Sequence, residues 1–103
     1  MKPDEMDAVF SALSSEPRRR ILDILKKEPG ANVNRVCEFF EFGRVAVMKH
    51  LDVLEGANLV LSERVGRERQ LYFNPVPIHM MARMKYRLEN APIPIAKKGG
   101  RRG

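Results

Sequence analysis

A chain of 103 residues with one cysteine makes a single small domain without an internal disulfide, as expected in a reducing compartment such as the cytoplasm. Its 44% apolar and 31% charged fractions are those of a globular protein, and the acidic opening Met1–Met6 predicts no signal peptide. No apolar run approaches the ~18 residues of a bilayer span, so no membrane partner is expected.

The net charge of +6 points to a polyanion, but the distribution tempers this. Lys97, Lys98, Arg101 and Arg102 are four of the 19 basic residues, which leaves 15 against 13 acidic ones, or +2, in residues 1–96. A nucleic-acid argument must rest on where the other basic residues lie.

Met6, Val9, Phe10 and Leu13 recur at helical spacing and define one face of a first helix. Ser15 is an N-cap for a second helix, with Glu16 and Pro17 in its first turn, Ile21, Leu22, Ile24 and Leu25 inside, and Pro29-Gly30 as the stop. Asn32 caps a third helix predicted over Val33–Phe40, and Glu41-Phe42-Gly43 forms a turn in which Gly43 is available for an unusual backbone angle. A fourth helix runs from Arg44 to about Glu55. Its inner face is Val47, Leu51 and Leu54, its outer face Arg44, Val45, Met48, Lys49 and Asp52, and Gly56 is its expected cap.

The period then drops to two. Leu59–Val65 and Arg69–Phe73 read as strands of a hairpin joined around Gly66-Arg67-Glu68, which Asn74-Pro75-Val76-Pro77 terminates. A fifth helix over about Pro77–Glu89 carries Ile78, Met81, Met84 and Leu88 along one side. Residues 1–90 are thus one domain, and residues 91–103 a basic tail expected to be disordered.

Two helices across a short turn form a helix-turn-helix, whose second helix normally enters the major groove. The hairpin behind it, with Arg64, Arg67 and Arg69 around its tip, supplies a wing. The expected fold is mainly α: a winged helix-turn-helix of five helices and a two-stranded β-hairpin wing.

Ala12-Leu13-Ser14-Ser15-Glu16-Pro17-Arg18-Arg19-Arg20-Ile21-Leu22 resembles the opening motif of the arsenical-resistance-repressor (ArsR) family of bacterial and archaeal regulators. Val45–Glu55 resembles that family's recognition helix, and Gly56–Val60 with Arg64-Val65-Gly66-Arg67 its wing. Asn74-Pro75-Val76-Pro77-Ile78 is similar to a subgroup without metal sites, often encoded beside START-like lipid-binding domains. The resemblance spans about residues 8–76. It implies a homodimer built from the first and last helices that binds imperfect palindromes in double-stranded DNA, usually as a repressor.

The family's thiolate metal site has two cysteines one residue apart; Cys37 matches the second, and Arg35 occupies the first position. The other family metal site needs clustered His and acidic residues in the last helix, where His79 stands alone. No metal and no cofactor are therefore expected.

These readings place DNA contacts at Arg44, Val45, Met48, Lys49, Arg64, Arg67 and Arg69, although charge on an edge hairpin also serves to prevent aggregation. A dimer interface is expected from Met6, Val9, Phe10, Ile78, Met81, Met84 and Leu88, more apolar surface than so small a core can bury. Methionines at helical spacing usually pack such an interface.

His50 reads as a histidine packed at the core edge and Cys37 as an inert buried thiol. Arg18-Arg19-Arg20 lies at a helix start, an unfavourable place for cations. That suggests either contact with phosphate or an acidic partner, or a solvated face.

There is no glycine-rich phosphate loop, no zinc-protease motif and no cysteine beside a plausible base, so no enzymatic reading survives. The competing reading is a winged-helix protein-interaction module. An apolar or acidic outer face on the fourth helix would favour it, whereas Arg44, Lys49 and the arginine wing favour DNA.

Overall fold

A computed structural model describes residues 1–90 in the order α1 (Pro3–Leu13), α2 (Glu16–Lys27), α3 (Val33–Cys37), α4 (Arg44–Gly56), β1 (Val60–Val65), β2 (Glu68–Phe73) and α5 (Val76–Asn90). The basic tail expected over residues 91–103 lies outside the described residues. Five helices and one antiparallel hairpin match the architecture expected from the sequence.

The helix starts follow from local chemistry. Pro3 opens α1, where its missing N–H has no intrahelical acceptor to lose, and Glu5 Oε1 accepts from the Lys2 backbone N–H at 3.0 Å. Ser15 caps α2 by accepting from the Arg18 N–H at 3.4 Å, and Asn32 caps α3 by accepting from the Arg35 N–H at 2.8 Å. The shorter bond is the stronger cap. Asn32→Ala is expected to cost about 1 kcal/mol and to lower Tm by about 4–8 °C, more than Ser15→Ala. Thermal unfolding followed by circular dichroism checks the order, and equal shifts would contradict it.

α3 ends at Cys37, three residues earlier than its apolar pattern suggests. From there the chain tightens into successive i→i+3 bonds (Glu38 N–H to Arg35 O, Phe39 to Val36, Phe40 to Cys37, each 3.1 Å). Side chains hold that tightened turn. Phe40 stacks on Phe42 at 4.7 Å, and the guanidinium of Arg35 lies 4.7 Å over Phe39. Arg35 also grips Glu28 with two bonds of 2.7 and 2.8 Å and Glu38 with a third of 2.7 Å. The Glu28 bonds pull that carboxyl below its usual range.

Two glycines play roles other than those expected. Gly43, at φ −77° and ψ 172°, is an extended N-cap of α4 and not a positive-φ residue. Gly56 stays helical, and the left-handed position falls to Asn58, at φ 61°. The Leu59 N–H bonds to Leu54 O at 2.9 Å and the Asn58 N–H to Glu55 O at 3.0 Å, a Schellman ending. Leu54 and Leu59, which accompany it, are both fully buried.

In the hairpin Val65 pairs with Glu68, so Gly66-Arg67 is a two-residue loop and β2 begins one residue earlier than expected. Gly66 at φ 63° occupies the first central position, where such loops call for glycine. Beyond the hairpin, Ala31 bridges to Leu71 through bonds of 2.8 Å (Gly30 N–H to Leu71 O) and 3.0 Å (Leu71 N–H to Ala31 O). This stitches the base of the wing to the helical core. Gly30 is needed there, at φ 89° with the Tyr72 hydroxyl 3.4 Å from where a Cβ would stand.

The core gathers Ile21, Leu22 and Leu25 of α2, Val33 and Val36 of α3, Val47, Leu51 and Leu54 of α4, and Leu59, Val60 and Leu71 from the wing side. Val9 belongs to it as well. At 1% exposure it is consumed inside its own protomer, which removes it from the expected dimer-interface residues.

Candidate nucleic-acid interface

The outer side of α4 and the wing face each other across an open groove. It is lined by Asn32, Val33 and Asn34 from the start of α3, Arg44 and Met48 from α4, and Arg64, Arg67, Glu68 and Arg69 from the hairpin. Five of the seven expected DNA-contact residues meet there: Arg44, Met48, Arg64, Arg67 and Arg69. Val45, 71% exposed, and Lys49, also exposed, lie on α4 outside the groove lining. Met48 differs from its expected outward pose by packing partly against the core.

Gly43 offers no side chain to the first N–H groups of α4, leaving that end of the helix open to an anionic acceptor. Arg44, the first helical residue, donates from Nη1 to Asn34 Oδ1, so α3 holds its guanidinium in place. Glu68 brings an acid into the groove, where it accepts from Asn32 Nδ2 at 3.3 Å. Neither asparagine nor Glu68 was legible as a site residue. Their partners are up to 36 positions away, and polar residues next to a cap or turn carry no distinguishing pattern.

Arg69 is committed differently from the other wing arginines. It pairs with Glu55 in the last turn of α4, a half-buried ion pair that ties β2 to the recognition helix. Arg64 and Arg67 make no ion pair among the described residues, which leaves their charge for an external anion.

The Arg18-Arg19-Arg20 run is part of a solvated face, with Arg19 and Arg20 exposed and Arg18 half-buried, but its guanidinium groups are engaged within the chain. Arg18 donates to Ala12 O and Ser11 O, each at 3.0 Å, and Arg19 to Leu13 O at 2.7 Å. These cations sit at the start of α2 but serve the orphan carbonyls at the end of α1, where positive charge is favourable. Arg20 bonds Phe39 O at 3.0 Å and lies 4.5 Å over the Phe40 ring.

A second surface lies on the far side. Phe10, Ile78, Met81, Ala82, Met84 and Leu88 form one apolar face between α1 and α5, bordered by Lys85 and Glu89. Four of the expected interface residues on α5 and Phe10 on α1 meet there, with Phe10 54% and Leu88 74% exposed in the single chain. Met6 is half-buried and does not line that face. No helix among the described residues is long and apolar enough to cross a membrane, and no three His, Cys, Asp or Glu side chains cluster as metal ligands.

A short helix and a longer one across a tight turn, followed by a basic hairpin, define a winged helix-turn-helix protein. The chain is 40% identical over 78 residues to the HTH-type transcriptional regulator YuzN of Bacillus subtilis, covering 70% of this chain and 85% of that one. It is 33% identical over 64 residues to the transcriptional repressor SdpR of the same organism (60% and 68% covered). Among solved structures, an ArsR-like transcriptional regulator from Rhodococcus sp. RHA1 superposes with a TM-score of 0.75 at 31% identity, over 84% of this chain and 80% of that one. A homodimeric winged helix-turn-helix DNA-binding domain from Mycobacterium bovis shares the fold, with a TM-score of 0.66 at 20% identity (84% and 80% covered). No protein-family model matches the chain. It belongs to the ArsR family of winged helix-turn-helix transcriptional regulators.

Proposed function

We propose that the protein is a homodimeric repressor that acts in the cytoplasm by occupying promoter DNA, and that it does no chemistry. The observation that carries this reading is the groove in which Arg44, held by Asn34 at the start of the recognition helix, faces Arg64 and Arg67 on the wing. Arg44 and Lys49 supply donors for guanine edges, and Val45 and Met48 apolar contacts for thymine methyls. Arg64 and Arg67 supply phosphate contacts, which bring affinity without sequence information.

Repression is the activity named for the relative SdpR, and a homodimer is named for the Mycobacterium bovis domain. The face formed by Phe10, Ile78, Met81, Met84 and Leu88 is where a second copy fits this reading. Metal plays no part in it, since Arg35 stands where the resembled thiolate site has its first cysteine and is engaged by Glu28 and Glu38.

Selection of bound sequences from a random duplex pool tests this reading. The expected product is a pair of related half-sites whose centres are about 34 Å apart, one turn of B-DNA. A pool that stays random after repeated rounds would count against sequence-specific binding.

A further inference from the structure

One guanidinium joins three elements. Arg18, at the start of α2, donates Nε to Ala12 O and Nη2 to Ser11 O at the end of α1, and its Nη1 lies 3.3 Å from His50 Nδ1 on the recognition helix α4. Arginine has no acceptor, so Nδ1 is the unprotonated nitrogen in this contact. The His50 ring packs edge-on against Phe42 at 5.7 Å, Phe42 stacks on Phe40 at 4.7 Å, and Arg20 covers Phe40 at 4.5 Å. Two arginines of α2 therefore hold the turn of the helix-turn-helix from both ends of one aromatic ladder. Ser11 follows Phe10 directly, so the anchored end of α1 is also the end that carries the exposed apolar face.

We propose that Arg18 and His50 are positioning residues for DNA reading: the pair fastens the recognition helix to the α1 end of the dimer face, and a proton on His50 unfastens it. The proposal rests on the DNA-reading function above. Protonation removes the acceptor lone pair and sets two cations 3.3 Å apart, so the joint exists with neutral histidine. The charged group against the ring is Arg18 from α2. The turn before α4 presents Phe42, α1 presents carbonyls bonded by Arg18, and α4 itself presents Ala46, Val47, Val53 and Leu54 at helical spacing. Burial, and then the Arg18 charge, hold the imidazole below the usual histidine range. The sign follows. The contribution of neutral His50 is present above the unfolded value of about 6.5 and is lost as pH falls through the lower folded value.

The test is fluorescence anisotropy of the full chain on the selected duplex and a scrambled one, at fixed ionic strength from about pH 7.5 to 5.5. The readout is the ratio of the two Kd values, which cancels the general gain in phosphate attraction as the protein charges. For the parent the ratio is expected to fall roughly tenfold on acidification, the size of one charge-assisted hydrogen bond. His50→Asn places a non-titrating amide oxygen near the Nδ1 position and should hold its ratio flat, within about threefold of the parent at pH 7.5. Arg18→Met should show a low ratio at every pH. A parent ratio that does not change with pH overturns the proposal, as does a His50→Asn ratio that falls in parallel with it or an Arg18→Met ratio like the parent's. If a variant does not fold, the parent profile decides alone. A parent with no preference for the selected duplex even at pH 7.5 overturns the DNA-reading function itself.

Discussion

Met84→Glu is expected to convert the protein from a dimer to a monomer and to weaken binding to a two-half-site duplex by about 10²- to 10⁴-fold, the usual gain from linking two binding modules. α5 shows why its apolar side needs a partner. It is 15 residues long, yet its one buried residue is Pro77, at its start. Ile78 and Met81 still pack partly against the core, Met84 is half-buried, and Leu88 is 74% exposed. An isolated helix of this length is marginal in water, so its second half requires a surface to pack on. Phe10 of α1 stands on the same face, and a two-fold axis through it would bring both stripes together from each protomer. A glutamate at position 84 would have to lose its water in the middle of that contact. Binding of one half-site should change little, because the DNA groove lies on other elements. Sedimentation velocity and anisotropy check the two halves of the expectation. A variant that stays dimeric, or a parent that sediments as a monomer at tens of micromolar (about the range in which an obligate dimer holds together), would rule out this face as the interface.

Much of this architecture was readable because it is local. The 3.6-residue spacing of Ile21, Leu22 and Leu25, the stripe Val47, Leu51 and Leu54, and the caps Ser15 and Asn32 all act within one or two helical turns. What escaped is set by partners distant in sequence or by a choice among permitted states. Glycine permits positive φ without requiring it, so Gly43 serves instead as an extended N-cap of α4, and the left-handed position expected near Gly56 falls to Asn58. Where α3 ends early, Arg20 and Arg35 lie over Phe40 and Phe39, and the Arg20 contact comes from another helix, beyond the reach of a local pattern.

The same reason separates the parts of the candidate site. Arg44, Met48, Arg64 and Arg67 follow from the order helix, turn, helix, hairpin, and they meet in one groove. Arg69 carries the same charge on the same hairpin, yet Glu55 claims it from 14 positions away. Val9 shares a helical face with Phe10 but points into the protomer, a difference of one step around α1 that periodicity alone does not resolve. The bridge at Ala31 is one residue long, too short to show an alternation.

Those placements divide the arginines by what each should lose on mutation. Arg44→Ala is expected to cost about 1–3 kcal/mol on the selected duplex and to relax preference at one position per half-site, as for a side chain that reads a base. Its fork is held by Asn34, so Asn34→Ala should move in the same direction by a smaller amount. Arg67→Ala, at the tip of the wing, should weaken selected and scrambled duplexes alike and lower the slope of log K against log salt by about one per lost phosphate contact. Arg69→Ala should behave unlike its neighbour. Its charge is already paired with Glu55, so little counterion release is lost, while the wing loses its tie to α4 and binding falls with the slope nearly unchanged. Anisotropy titrations of each variant at several salt concentrations separate the three patterns. If Arg69→Ala lowers the slope as Arg67→Ala does, the ion pair opens on DNA and Arg69 is a phosphate contact after all. If Arg44→Ala and both wing variants bind the two duplexes as the parent does, the groove does not read DNA, and a winged helix that docks a protein partner becomes the better description of this surface.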